Sequence, residues 1–193
     1  MAQDAQDSPD ATDAPAPRDI VPDGKDWTWV LDRPCPECGL DTRLIQPESV
    51  GALLRDNASG WQSVLARPEA SVRARPAPGV WSALEYGCHV RDVCRLYDER
   101  LRLMLTEDGP HYPNWDQDAT AVQARYFEQD PARVCVELLE AAQSLADGFD
   151  RLEGDQWQRT GFRSDGASFT VATFARYLVH DPIHHLYDVL SSG

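Results

Sequence analysis

The chain has little lysine, no long apolar run and none of the glycine signatures of phosphate binding. Of its 18 basic residues only Lys25 is a lysine, 32 residues are acidic, and the formal net charge is −14. That balance excludes binding to nucleic acid or to an anionic membrane through bulk charge. The six tryptophans have no basic patch around them, so aromatic-basic recognition of nucleic acid is not expected either. No stretch is apolar for long enough to span a bilayer. The first residues lack the basic start and apolar core of a secretory signal, so the expected location is the cytoplasm. There is no Gly-rich phosphate loop and no Gly-x-Ser-x-Gly nucleophile elbow. Cysteines number five, an odd count, which argues against a disulfide framework. Arginine in place of lysine suggests a GC-rich genome and says little about mechanism.

What is present suffices for one domain. The chain has 193 residues, 42% of them hydrophobic, enough to bury a full-sized core without staples. Residues 1–23 contain six Asp, no aromatic residue and one basic residue, Arg18, and are broken by Pro9, Pro15, Pro17 and Pro22. Such a segment cannot bury enough surface to offset chain entropy. Residues 1–25 are therefore expected to be a disordered tail, 26–46 a short Cys-x-x-Cys segment, and 47–193 the folded domain.

Apolar residues at helical spacing predict four helices in that domain. The first spans about 48–66 and ends at Arg67-Pro68. The second follows Pro78-Gly79, opens on the capping box of Ser82 and Glu85, and reaches about 105. Tyr86, His89, Val93, Tyr97, Leu101 and Met104 share one face of it; Arg91, Arg95, Asp98 and Arg102 occupy the other. The third starts at Asp130-Pro131, and the fourth spans about 170–190. Two long connections separate them, the first holding Asn114-Trp115-Asp116-Gln117-Asp118 and the second the turn Ser164-Asp165-Gly166. No series of alternating strands is evident. The expected fold is all-α: a four-helix bundle with long crossover connections.

The candidate chemistry lies in histidine. His180 and His184 stand one turn apart on one helical face, close enough for both imidazoles to reach one metal ion. His89, in the apolar stripe of the second helix, is placed to add a third nitrogen. The plain alternatives are a core histidine at 89 and a solvated face at 180 and 184, which lie opposite Val171, Phe174 and Leu178. Pro182 stands between the pair. It either breaks the helix, with Asp181 capping a new one, or kinks it. His185 points about 100° away from His184 and reads as a core or supporting residue. Glu85 and Asp188 are candidates for orienting metal-bound imidazoles. Cys35-Pro36-Glu37-Cys38-Gly39 looks like half of a zinc knuckle without a second Cys-x-x-Cys. A local turn, a metal site completed by other groups and a redox pair all remain open for it. Cys88, Cys94 and Cys135 read as core thiols.

Two motifs carry a resemblance. Trp81-Ser82-x-x-Glu85-x-x-x-His89 and His180-Asp181-x-x-His184 together resemble the DinB/YfiT-like superfamily of metal-binding four-helix proteins over residues 47–193. The Cys35–Gly39 and Asn114–Asp118 segments look like a subgroup found in GC-rich bacteria. The resemblance implies a divalent metal, zinc, nickel or iron, on His89, His180 and His184. It also implies, through relatives that use mycothiol or bacillithiol, a thiol S-transferase or isomerase with a low-molecular-weight thiol as cosubstrate. Arg176 is then a candidate to pair with an anionic group of a small-molecule substrate, and Tyr177 and Tyr187 are candidates to deliver a proton. A metal-dependent hydrolase and a non-enzymatic metal-binding or stress-related module are the alternatives. A homodimer is the expected assembly if the bundles pair.

Overall fold

The computed structural model describes Ile20 and residues 26–191. The expected tail, Ile20 apart, lies outside the described residues. The Asp26 carboxylate accepts from the Thr28 amide and caps a 3₁₀ turn over Trp27–Leu31.

Four long helices form the bundle: α1 (Val50–Leu65), α3 (Ala83–Thr106), α5 (Pro131–Asp150) and α6 (Val171–Ser191). Two short helices, α2 (Glu69–Arg73) and α4 (Gln117–Gln123), lie in connections. Around the bundle the order is α1, α5, α3, α6, so that α1 faces α3 across a diagonal. Trp61 of α1, Leu101 of α3, Leu145 of α5 and Phe174 of α6 are all fully buried. The start of α3 is the expected capping box: Ser82 Oγ accepts from the Glu85 amide, and Glu85 Oε2 accepts from the Ser82 amide. Glu85 also pairs with the buried Arg75 guanidinium, so it serves the cap and not His89.

Two features go beyond the sequence reading. The polar face of α3 is partly buried. Arg91 and Asp98 are buried, because α5 brings Glu137 to 2.9 Å from Arg91 and Ser144 to 2.9 Å from Asp98. The connections are also not free of strands. β1 (His111–Tyr112) lies parallel to β2 (Thr160–Arg163), which runs antiparallel to β3 (Ser168–Thr170). The turn at Ser164-Asp165-Gly166 closes the β2–β3 hairpin, with Gly166 at φ +96°, a conformation open to glycine at little cost. This small sheet ties the two long connections together at one end of the bundle. Among the described residues no helix is long and apolar enough to cross a membrane.

Candidate metal centre

Pro182 does not break α6. The helix runs from Val171 to Ser191 through it, and the Asn57 side-chain amide of α1 donates to the Pro182 carbonyl at 2.8 Å. Asp181 is thus not a helix cap. The continuous helix carries two parallel ladders of donors, each with a spacing of four: His180 with His184, and Asp181 with His185. One residue of offset turns the second ladder about 100° from the first, so each meets different neighbours.

The first ladder meets the Cys-x-x-Cys segment. Cys35 Sγ is 3.7 Å from His184 Nδ1, and Cys38 Sγ is 3.8 Å from His180 Nε2. One donor atom from each of the four residues lies within 4.8 Å of the other three. Both thiols are free. Burial pushes the Cys38 thiol up to about 11, helped by the neighbouring Cys35 thiol. Burial also pulls His180 down to about 4, and the adjacent His184 adds to this. The Trp27 ring covers the group, its centroid 5.4 Å from His180 and 5.3 Å from His184.

The second ladder meets α3. His89 Nε2 is 3.2 Å from Asp181 Oδ1, and His185 Nε2 is 3.9 Å from Asp181 Oδ2. The donor atoms of His89, Asp181 and His185 again lie within 4.8 Å of one another. Burial alone would raise the Asp181 carboxyl, but the His89 and His185 imidazoles outweigh it and hold it well below the usual carboxylate range. Trp115, from the connection before α4, stacks on His89 at 5.3 Å with planes 8° apart. Its indole donates to Thr120 Oγ1 of α4 at 2.8 Å, which holds that ring in place.

Asp188 stands behind both groups. Its Oδ2 is 3.5 Å from His184 Nε2 and 3.4 Å from His185 Nδ1, in each case on the side of the ring away from the donor cluster. Glu37 adds a second carboxylate 3.4 Å from His184 Nε2.

A cavity of about 100 Å³ opens onto Asp181, His185 and the His180–His184 pair, with Trp27, Trp115 and Tyr177 in its walls. It adjoins an outer chamber that shares those three aromatic residues and Arg163. Arg163 is paired with Asp165 at 2.9 Å and donates to the Tyr177 hydroxyl at 3.1 Å.

Of the residues expected to share one ion, the structure brings His180 and His184 together with Cys35 and Cys38, and places His89 with Asp181 and His185. Tyr177 lines the cavity. Arg176 instead donates to the Ile45 carbonyl at 2.9 Å, and Tyr187 is 44% exposed; neither lines this cavity. Sequence reasoning missed Asp181 and His185 as donors, although the run His180-Asp181-x-x-His184-His185 contains both ladders.

The model of the DinB superfamily matches residues 53–189, most of the chain. The chain belongs to the DinB superfamily. No curated protein matches it. Among solved structures it is similar to YfiT from Bacillus subtilis, described as a probable metal-dependent hydrolase with an unusual four-helix bundle topology. The TM-score is 0.68 at 19% identity, over 76% of this chain and 85% of that one. The likeness shows the fold, a four-helix bundle.

Proposed function

We propose that this DinB-family chain is a metal-dependent enzyme acting on a small molecule, with its ion on His89, Asp181 and His185. The observation that carries this is two imidazoles and one carboxylate within 4.8 Å of one another, two of them, Asp181 and His185, lining a cavity. Ligands about 2.1 Å from one ion stand roughly 3–3.4 Å apart; the His89–Asp181 separation of 3.2 Å falls in that range, and His185, 3.9 Å from Asp181, stands slightly wider. Two His and one carboxylate leave positions open, as a reactive metal requires and a purely structural one does not.

A divalent ion held there supplies Lewis-acid activation of water or of a substrate heteroatom. The chain's residues do the rest. Asp188 orients the His185 ring from behind. Trp27 and Trp115 give the cavity two aromatic walls. Burial raises the Tyr177 hydroxyl above its ordinary pKa, so at neutral pH it stays protonated and able to donate to a substrate oxygen at the cavity wall. The description of YfiT as a probable hydrolase supports ester, amide or phosphoester hydrolysis as the first reaction to test. A low-molecular-weight thiol bound at the same open position would be activated toward S-transfer by the same ion.

The test is turnover of model esters and phosphoesters by chain loaded with zinc, nickel or ferrous iron, with and without added thiol, beside His185→Ala. Metal-dependent turnover without thiol that is lost in the variant supports hydrolysis. Turnover only with thiol and an electrophile replaces it with transfer. Equal turnover by His185→Ala would overturn the assignment of the ion to these residues.

A further inference from the structure

We propose that Cys35, Cys38, His180 and His184 hold a second ion, a structural zinc, which staples residues 26–46 onto α6. Geometry and donor chemistry carry this. In a tetrahedral site with Zn–S about 2.3 Å and Zn–N about 2.05 Å, a sulfur and a nitrogen stand about 3.6 Å apart. Cys35 Sγ and His184 Nδ1 stand 3.7 Å apart, and Cys38 Sγ and His180 Nε2 3.8 Å apart. Four protein ligands close the coordination shell, which is the pattern of structural zinc. The loop is built for it. The Gly39 amide donates to the Cys35 carbonyl at 2.9 Å and the Cys35 amide to the Leu40 carbonyl at 2.8 Å. Gly39 itself sits at φ +75°, where a side chain would be strained. Glu37 and Asp188, close behind the outer nitrogen of His184, fix that ring as carboxylates do for metal-bound imidazoles.

The staple has a clear purpose. The segment fully buries few side chains of its own, chiefly Val30, Cys35 and Thr42, so a cross-link adds to the partly buried Leu31 and Ile45 in holding it on the bundle. It carries Trp27, a wall of the substrate cavity. The zinc therefore helps fix the shape of the cavity, whose wall includes His180 and His184, and with four protein ligands it leaves no coordination position for substrate.

Cobalt substitution tests this first in the wild-type chain and then in a double variant. Full-length chain with reduced thiols, loaded with Co²⁺, should show near-ultraviolet thiolate-to-cobalt charge transfer. The His89–Asp181–His185 group has no sulfur and cannot produce that band. Cys35→Ser/Cys38→Ser should lose the band and one of two bound ions, keeping the other. A wild-type cobalt complex without the band, or a band that survives in the double variant, would overturn the proposal. Neither result bears on the open site.

Arg100 is an independent observation in the same cavity. It is 4% exposed, and no carboxylate among the described residues pairs with it. Its Nη2 donates to the Pro113 carbonyl at 2.7 Å, its Nε has no hydrogen-bond partner, and its guanidinium lies 4.8 Å from the Tyr112 ring. A buried cation without a counter-ion is costly, and this one lines the same cavity as Asp181 and His185. We infer that Arg100 binds an oxyanion, carboxylate or phosphate, of the substrate. This rests on reading the cavity as the substrate site.

The probes are inorganic phosphate and acetate, titrated calorimetrically into metal-free and metal-loaded chain, wild type and Arg100→Met. Methionine keeps the aliphatic packing, and a thermal melt checks the fold. Saturable binding to metal-free wild type, weakened at least about tenfold in Arg100→Met, supports the inference. Binding that needs metal and ignores the substitution would overturn it while leaving the metal reading intact. No binding of either anion to wild type would also overturn it.

Discussion

Asp188→Ala should weaken two metal sites with one substitution. The carboxylate lies 3.5 Å from the outer nitrogen of His184 and 3.4 Å from that of His185, and those imidazoles belong to different donor groups. An outer carboxylate of this kind fixes ring orientation and raises ligand basicity, and its loss costs about 10–100-fold in metal affinity. The Asp188 side chain is 30% exposed, so water replaces part of its field and the effect belongs near the lower end. Glu37 remains beside His184 and shields the cysteine-containing site further. The expected result is about tenfold at the His89–Asp181–His185 site, roughly 1.4 kcal/mol, and less at the other. Competition for zinc against a chromophoric chelator resolves the two affinities. Unchanged affinity at both sites, or a larger loss at the cysteine site than at the open one, would refute the reasoning.

Single substitutions on α6 should separate the sites: His184→Ala should lose the cysteine-held ion and His185→Ala the open-site ion, each leaving one per chain by mass spectrometry. If one shared ion sat on His89, His180 and His184, His184→Ala would bind none. Asn57→Ala removes the buried hydrogen bond from α1 to the Pro182 carbonyl and should cost about 1–2 kcal/mol, seen as a melting temperature lower by about 2–8 °C. Burial pushes both Cys88 and Cys94 up to about 12, so at pH 8 neither should react with iodoacetamide in the native chain; intact-mass analysis after brief treatment would show adducts at other thiols alone.

Much of the bundle was legible in the sequence because helices are local. The Ser82–Glu85 box and the Asp130-Pro131 start act within one turn, and the structure begins α3 and α5 where they stand. The sheet was not legible. β1 is two residues long and pairs with a strand some fifty positions away, and no periodicity reports such a pairing. The burial of Arg91 and Asp98 was hidden for a related reason, since their partners Glu137 and Ser144 belong to another helix.

The candidate site divides along the same line. Sequence alone placed His180 and His184 on one face of a helix and raised a metal for them, and left Cys35 and Cys38 open between a local turn, a metal site completed by other groups and a redox pair. It also put the histidine pair opposite the apolar stripe, where a bare helix would leave them in water. Only the tertiary structure folded residues 26–46 over that face, joining thiols and imidazoles 142 and 149 positions apart. It likewise turned Asp181 and His185 toward α3 and His89. Spacing along a helix determines which side chains share a face. What that face meets depends on long-range packing, to which helical periodicity is blind.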